Sequence, residues 1–416
     1  MTSPRGTSGG RSLSRTRNVS RVGAGPQPSR LPLSALGWIV LAGGVALVVL
    51  GLWLSWLECL VMGGVLLLAL AAAVPFILGR SAYGVDIDLH PRRVMVGQTA
   101  SGRLLVRNAG ASNLLPSRFE LPVGGDHAEF AIPALPPAEV HEELFTVPTS
   151  YRGVIPAGPA SSVRGDALGL LRRTVRWTEV IELFVHPRTV RLETSASGLR
   201  HDLEGVTSTK VTDRDLAFHA LRPYEAGDDR RSIHWRTTAR TGRLMVRQFE
   251  ETRRSQLTIG LTVHPEAYVD DEEFELAVSV AASIAQQFMR DDLGVDVVTE
   301  RGRLRARSLS SMLDETSRIE PLAGRAAREP VSLRGFLTVA VRKLAPPTAV
   351  VLVCGSRTPT AELLRAAALF AEDVQLTAFR CDVKGSSGRG RGERLDVRTV
   401  AALEDLPGLV RRRGGA

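Results

Sequence analysis

Asp228 and His234 are side chains whose types are suited to general acid/base chemistry. Both lie in a stretch from Arg222 to Arg247 that contains seven arginines. Catalysis by such a pair also needs a nucleophile, a metal cluster or a phosphate-binding loop, and no motif for any of these accompanies the pair in the sequence. A hydrolase or transferase that uses Asp228 and His234 is therefore an alternative and not the main hypothesis.

The charged residues of this stretch allow two further interpretations. In the first, Asp228 and Asp229 accept fork-shaped guanidinium contacts, and the stretch is an intramolecular latch against the domain that follows. In the second, the surplus arginines form a docking surface for another protein or an anionic ligand. Nucleic acid is not an expected partner. Six of the 53 basic residues lie in the first 30 positions, which hold no acid, and the rest nearly balance the 44 acidic residues.

A short helix is predicted inside the stretch. Gly227 permits a tight turn, and Asp228 or Asp229 can cap the N-terminus of a helix that runs to about Arg240 and ends at Thr241-Gly242. The sequence therefore predicts a turn, a helix and then a strand from Leu244 to Phe249.

Trp235 and Ala239 lie four positions apart and would share one face of that helix. An aromatic ring on a shared face usually packs on a neighbouring element. The spacing therefore predicts that Trp235 anchors the helix to the rest of the protein.

The stretch resembles the signature of a known family, the domain-of-unknown-function-58 family of bacterial membrane-associated proteins. The residues that carry the resemblance are Arg222, Tyr224, Gly227, Asp228, Arg231, Ile233, Trp235, Ala239, Arg240, Leu244, Val246 and Arg247. Asp229, His234 and Arg236 lie between them and complete the candidate site. Two earlier segments, Tyr151-Arg152-Gly153 and Asp166-Ala167-Leu168-Gly169-Leu170, also look like the family, although Ala167-Leu168 stands where an apolar or Pro-aromatic pair is commoner.

The resemblance implies a von Willebrand factor A-like domain after the motif and association with a MoxR-type AAA ATPase. It implies no biochemical activity, since none is established for the family. The main hypothesis is accordingly a non-enzymatic adaptor or scaffold that binds a protein partner in envelope-related assembly. The partner's identity, the biological process and the oligomeric state do not follow from the sequence.

Two uncharged stretches near the N-terminus, 36–57 and 59–78, are each long enough to cross about 30 Å of hydrocarbon as a helix. Glu58 stands between them, so the pair is predicted to form a transmembrane hairpin in the lipid bilayer. Arginines precede the first span and follow the second, whereas the hairpin tip has no Lys or Arg, so both termini are expected in the cytoplasm. A cleavable signal peptide is the alternative for the first span.

Between the hairpin and the arginine-rich stretch, short alternating runs such as Val85–Leu89 and Gly102–Arg107 predict an antiparallel β-sandwich. After the stretch, strands alternate with helices, and the apolar run Ala349–Val353 is typical of a buried parallel strand. This pattern predicts a doubly wound α/β domain. The predicted domains are a disordered basic tail (1–33), the hairpin (34–79), the β-sandwich-like domain (80–195), the arginine-rich connector (196–255) and the α/β domain (256–416).

No cofactor, metal ion or catalytic residue is predicted. By the resemblance, a von Willebrand A domain holds a metal with Asp-x-Ser-x-Ser after its first strand and an Asp after its fourth. Here Val263-His264-Pro265 and Cys354-Gly355-Ser356 follow the corresponding strands and offer no carboxylate. The Gly-Ser-Arg stretch 384–392 is predicted to be a solvated loop and not a phosphate-binding one. Cys354 and Cys381 are predicted to be inert, buried thiols.

Overall fold

The structure, a computed structural model, describes residues 27–28, 33–77, 82–192, 217–225, 227–250, 256–328, 332–372, 374–392 and 394–410. The chain forms two compact units. The first comprises Met1–His90, Ser101–Val147 and Ile155–Glu182, and the second comprises Pro91–Ala100, Pro148–Val154 and Leu183–Ala416. Almost all of the predicted basic tail lies outside the described residues.

The first unit begins with two apolar helices, α1 (Ala35–Leu54) and α2 (Leu57–Ile77). Ser34 caps α1 by accepting the N–H of Gly37 at 3.0 Å, and Ser55 ends it in the left-handed conformation. Both helices are long and apolar enough to cross a membrane. The two predicted apolar spans are therefore helices, with ends that differ from the predicted ones by one to three residues.

A two-residue strand precedes the helices in the sequence, and further short strands follow them. They are β1 (Gln27–Pro28), β2 (Tyr83–His90), β3 (Arg93–Met95), β4 (Ala100–Asn108), β5 (Ser117–Val123), β6 (Asp126–Ile132), β7 (Val140–Val147), β8 (Gly153–Ala157), β9 (Ser161–Gly165), β10 (Arg172–Arg176) and β11 (Ile181–His186). In the first unit, one antiparallel set has the order β1-β10-β9-β5-β6, and a second has the order β2-β4-β7. The predicted antiparallel β-sandwich-like domain is confirmed.

The alternation of apolar and polar residues along these strands explains the core of the first unit. In β4, Leu104 and Val106 are buried while Arg103 and Arg107 are exposed, as the two-residue period of a strand requires. Tyr83 packs edge-on against Phe119 and Trp177, with ring centroids 5.2 and 5.4 Å apart. The strands therefore enclose an apolar interior with an aromatic cluster.

The second unit contains a hairpin and an α/β sheet. Its further elements are β12 (Ala217–Pro223), α3 (Trp235–Thr241), β13 (Met245–Glu250), β14 (Gln256–Leu261), α4 (Asp271–Arg290), β15 (Gly294–Thr299), β16 (Gly302–Arg303), α5 (Leu309–Ser317), α6 (Leu333–Val341), β17 (Ala349–Gly355), α7 (Thr360–Ala367), β18 (Gln375–Cys381), β19 (Gly388–Arg391), β20 (Asp396–Val400) and α8 (Leu406–Val410). Short 3₁₀ turns lie at Arg230–Ser232, Pro265–Ala267, Ala326–Arg328 and Leu403–Asp405.

The α/β sheet has the order β16-β15-β14-β17-β18-β20-β19, with parallel inner strands and antiparallel edges. The strand order reverses between β14 and β17, which is the position where doubly wound sheets form a crevice at the carboxyl ends of their strands. Every residue of β17 is buried, because helices cover both faces of a parallel sheet. The predicted doubly wound α/β domain is confirmed.

One prediction for this domain differs from the structure, and two short elements were not predicted. Within the predicted loop 384–392, residues 388–391 form the edge strand β19, which pairs with β20 in an antiparallel hairpin. The two-residue strand β16 and the helix α5 were not predicted. Such short elements are fixed by pairing and capping contacts, and their apolar pattern is too short to identify them.

Candidate functional site

The arginine-rich stretch forms a β-hairpin with a folded connection. Strands β12 and β13 pair antiparallel, with Arg222 opposite Val246 and Leu221 opposite Arg247. In the connection, Ile233 makes a β-bridge to Val246, and both of these side chains are buried. This apolar contact holds the polar residues of the connection against the hairpin.

Asp228 is held by Arg222. The two terminal nitrogens of Arg222 donate to the two oxygens of Asp228 at 2.7 and 2.6 Å, and the backbone N–H of Glu225 donates to Asp228 at 2.9 Å. The hydrogen bonds from Arg222, followed by that from Glu225, lower the pKa of Asp228 below its usual value. Gly227 has a φ of +119°, which permits the turn that places Asp228 beside Arg222. The fork lies inside the hairpin module.

Helix α3 is capped by His234 and not by Asp228 or Asp229, so the predicted cap is wrong. The His234 Nδ1 accepts the N–H of Thr237 at 3.2 Å. Asp229 instead accepts the N–H of Arg231 at 2.9 Å and caps the preceding 3₁₀ turn. Ile233, in an extended conformation, separates the turn from the helix, so neither aspartate can reach the first turn of α3.

Trp235 does not anchor α3, so that prediction is also wrong. Its side chain is 66% exposed, and Ala239 on the same face is exposed as well. The helix is held instead by polar contacts to β13. The N–H of His234 donates to the Met245 carbonyl at 2.8 Å, and Thr238 Oγ1 accepts the Met245 N–H at 3.0 Å. The aromatic ring is therefore free to contact something other than its own hairpin.

Exposed arginines lie near Trp235 in the sequence. Arg231, Arg236 and Arg240 are exposed, and in the part of the chain that the structure describes their side chains make no ion pair. The other motif residues are distributed over the hairpin: Tyr224 is half-buried and donates its N–H to the Leu244 carbonyl at 2.8 Å, while Leu244 and Arg247 are exposed. Trp235, Arg231, Arg236 and Arg240 together are called the Trp235 surface below.

The carboxyl edge of the α/β sheet contains a buried acid that the sequence analysis missed. Glu273, in the first turn of α4, accepts the N–H of Val269 at 3.1 Å and contacts both the N–H and, at 3.2 Å, the hydroxyl of Ser356. Its carboxylate thus joins the loops that follow β14 and β17. Its position three residues after the N-cap Asp270 is a sequence signal for a capping acid.

Glu273 occupies the part of the sheet edge where the sequence analysis considered a metal site. Within the described ranges, no three His, Cys, Asp or Glu side chains are grouped so that they could hold a metal ion. Cys354 and Cys381 are buried free thiols at the ends of β17 and β18. Burial raises the pKa of Cys354 to about 11 and that of Cys381 well above its usual value, which keeps both thiols protonated.

Arg152 is a second residue whose role was missed. Its buried guanidinium donates to both oxygens of Glu275 at 2.9 and 2.7 Å, and to the carbonyls of Thr316 and Ser317 at 2.8 and 3.1 Å. All of these residues belong to the second unit, where Arg152 also lines a cleft of about 1240 Å³. The family-like segment Tyr151-Arg152-Gly153 was the available sequence signal. Arg152 therefore binds the segment 148–154 to α4 and α5.

Comparison with known proteins identifies part of the chain. A family described as Protein of unknown function DUF58 matches residues 220–378. The Uncharacterized protein YeaD of Bacillus subtilis (strain 168) is 28% identical over 137 residues, which are 32% of this chain and 33% of that protein. The chain thus matches about a third of the length of this relative.

Similar solved structures include the CARDB domain of the PF1109 protein from Pyrococcus furiosus, with 16% identity, a TM-score of 0.20, and coverage of 25% of this chain and 93% of that one. Another is the C-terminal domain of wzt, with 11% identity, a TM-score of 0.22, and coverage of 27% and 78%. TM-scores this low support no conclusion about the present chain.

Proposed function

Because residues 220–378 of this chain are a DUF58 family domain, and two apolar helices precede it, we propose that the protein is a membrane-anchored, non-enzymatic adaptor. Its Trp235 surface docks onto an acidic surface of a partner protein. A MoxR-type AAA ATPase, the partner implied by the family resemblance, is the partner that we propose. The exposed Trp235 side chain among unpaired arginines is the observation that carries the proposal.

Membrane anchoring is supported by the side chains of α1 and α2. Ile39, Leu52 and Leu68 are exposed large apolar residues on these helices. Such side chains on two successive helices are unfavourable in water, at about 25 cal/mol per Å² of apolar surface, and favourable in lipid. The distribution of arginines around the spans supports cytoplasmic termini.

Docking through the Trp235 surface is supported by its composition. Trp and Arg are enriched among the interface residues that contribute most to binding energy, and a fixed scaffold lowers the ordering cost of binding. Helix α3 supplies this scaffold, since its ends are fixed at His234 and at Gly242, which has a φ of +70°. Several exposed guanidinium groups close together in the sequence favour a partner of opposite charge.

The contacts of Asp228 and His234 support a non-enzymatic role. Both oxygens of Asp228 accept hydrogen bonds from Arg222, and His234 Nδ1 is used in capping α3. A general base needs a lone pair directed at the substrate proton. Together with the N–H of Glu225, these contacts use three of the roughly four acceptor sites of Asp228 and the Nδ1 acceptor site of His234. The hairpin therefore uses both residues to fix its own shape.

The proposal is tested by binding of the purified full-length protein, in detergent, to a purified MoxR-type AAA ATPase from the same organism. Trp235→Ala is expected to weaken binding about tenfold or more, because truncation of an interface tryptophan costs about 2 kcal/mol or more. Tyr151→Ala is the matched control, since Tyr151 is another exposed aromatic residue of the second unit. Equal binding by both variants, or no binding by the wild type, would contradict the proposal.

A further inference from the structure

The loop from Asp166 to Leu171, here called the 166–171 loop, connects β9 to β10 and lies against the helical hairpin. Leu170 and Leu171 are buried in a cluster with Ala73 and Ile77 of α2. Leu33, Val40, Ala69 and Leu70 pack against the same cluster. All of these residues belong to the first unit. The loop therefore contacts both apolar helices.

The apolar cluster that contains Leu170 and Leu171 extends along the helices and is not confined to their ends. Val40 is five residues beyond the start of α1, and Leu70 is seven residues before the end of α2. At 1.5 Å per residue these positions lie about 7 and 10 Å inside the two helices. A Cβ atom at Gly37, in the first turn of α1, would collide with the Leu170 carbonyl, which shows how closely the loop backbone approaches the helix.

Much of the backbone of the 166–171 loop is hydrogen-bonded within the protein. The Asp166 carboxylate accepts the N–H groups of Leu168 and Leu171 at 3.0 and 2.6 Å, and its backbone carbonyl accepts the Gly169 N–H at 3.1 Å. The Ser34 hydroxyl lies 2.6 and 3.0 Å from the Gly169 and Leu170 carbonyl oxygens, and the Ser34 N–H donates to Leu170 at 3.0 Å. Unsatisfied backbone groups cost several kcal/mol in hydrocarbon, which makes this arrangement suited to lipid.

The tip of the loop is apolar and uncovered. Leu168 is 64% exposed, and its neighbours Ala167 and Gly169 are exposed and uncharged. Behind the tip, Arg173 donates to the carbonyl of Ile77, near the end of α2, at 3.2 Å. An apolar tip with arginine behind it is the arrangement of a segment that inserts at the boundary between acyl chains and headgroups.

We propose that the 166–171 loop is a second membrane contact, with Leu168 inserted among the lipid acyl chains beside the hairpin. The occupant of this surface is the bilayer, because Leu170 and Leu171 share one apolar cluster with residues of α1 and α2, and the exposed tip of the loop continues from that cluster. The β-sandwich-like domain is thereby held directly on the membrane surface. This inference rests on the proposed membrane anchoring.

The test is a nitroxide accessibility measurement on the full-length protein in vesicles of phosphatidylcholine and phosphatidylglycerol. Single cysteines for labelling are introduced as Leu168→Cys, Leu115→Cys and Leu52→Cys in a Cys59→Ala background, since Cys354 and Cys381 are buried. Leu115, 72% exposed in the β-sandwich-like domain, is the matched control, and Leu52, 67% exposed on α1, reports on anchoring. For each nitroxide label, the rate of collision with oxygen, which concentrates among the acyl chains, is compared with the rate of collision with a nickel chelate dissolved in the water.

At position 168, the ratio of oxygen to nickel accessibility is expected to be about fivefold or more above that at position 115, and to approach that at position 52. A ratio at 168 equal to that at 115, with position 52 in lipid, would overturn the loop contact while the anchor stands. A water-accessible label at 52 would overturn both. A label at 168 that neither reagent reaches would assign the surface to a second copy of the chain and overturn the lipid contact.

Discussion

At the scale of single residues, the arginine-rich motif divides its polar side chains between internal contacts and exposed positions. Asp228, Asp229 and His234 each make a local hydrogen bond that shapes the hairpin, whereas Arg231 and Arg236 are exposed. The charged residues of the motif therefore fall into two groups, one that makes contacts within the hairpin and one that is exposed. The Arg222–Asp228 fork lies within the hairpin and not against the following domain, and in the described residues Asp229 accepts a backbone N–H and no guanidinium fork, so the predicted latch differs from the structure in both respects.

The Arg222–Asp228 fork predicts the acid titration of Asp228. Arg222 lowers the pKa of Asp228 below its usual value near 3.8, so the fork contributes stability above that value, and this contribution is lost as the pH falls through the lower, folded-state pKa. We expect a carboxyl ¹³C titration of Asp228 to have its midpoint below 3.8 in the wild type and closer to it in Arg222→Gln. Arg231→Gln, the control, should leave the midpoint unchanged. A wild-type midpoint at or above the usual value would be inconsistent with the fork.

Sequence reasoning predicted the fork but missed other side-chain contacts. A carboxylate six positions from an arginine across a glycine turn is a local pattern, so the Asp228 contact could be anticipated. The contact of Glu273 with Ser356 joins residues far apart in the chain, and it becomes visible only when β14 and β17 lie side by side. The exposure of Trp235 could not be predicted, because periodicity cannot distinguish a buried helix face from one kept for a partner.

At the scale of elements, close packing of α1 and α2 depends on glycine. Gly63 of α2 faces α1 so closely that an added Cβ would lie 2.8 Å from the Gly44 carbonyl oxygen and 2.9 Å from the Val48 nitrogen. Small residues at such contacts let helix backbones approach within membranes. Gly64, the next residue, has no atom within 4 Å of an added Cβ. A comparison of alanine variants at these two adjacent positions therefore distinguishes the effect of helix packing from that of intrinsic helix propensity.

Gly63→Ala is expected to destabilise the hairpin by about 1 to 3 kcal/mol relative to Gly64→Ala, because the added methyl group collides with backbone atoms of α1. Alanine changes the intrinsic helix propensity equally at both positions, so the difference between the variants reports on packing. Denaturation by sodium dodecyl sulfate, followed by the fluorescence of the hairpin tryptophans, measures this difference. Two variants with the same transition would show that α1 and α2 do not pack as described.

Elements with a long apolar pattern were predicted closely, and short elements were not. The predicted strand Ala349–Val353 begins at the first residue of β17 and ends two residues before β17 does, because a continuous apolar run is a strong signal. The edge strands β16 and β19 contain mainly Gly and Arg, so backbone pairing with β15 and β20 determines them. No pattern within those few residues could identify them.

At the scale of the whole molecule, the chain does not divide into units along the sequence. The segments Pro91–Ala100 and Pro148–Val154 belong to the second unit although their neighbours on both sides belong to the first. Arg93 and His186 both contact Asp314 of α5, at 2.8 and 2.9 Å, and Arg152 contacts Glu275 of α4. These long-range polar contacts join such segments to the second unit, and sequence patterns cannot specify them.

The distribution of charge over the whole chain predicts its orientation in the membrane. Six arginines and no acid lie in the first 30 residues, and the hairpin tip has no basic residue, so the tip should face outward and the remainder the cytoplasm. In a Cys59→Ala background, a membrane-impermeant maleimide should label Ser55→Cys in intact cells and Leu115→Cys only after permeabilisation. Ser55 lies in the exposed turn between the helices, and Leu115 lies in the β-sandwich-like domain. The two labelling sites are therefore expected on opposite sides of the membrane. Labelling of Leu115→Cys in intact cells would reverse the orientation and place the Trp235 surface beyond the reach of a cytoplasmic ATPase.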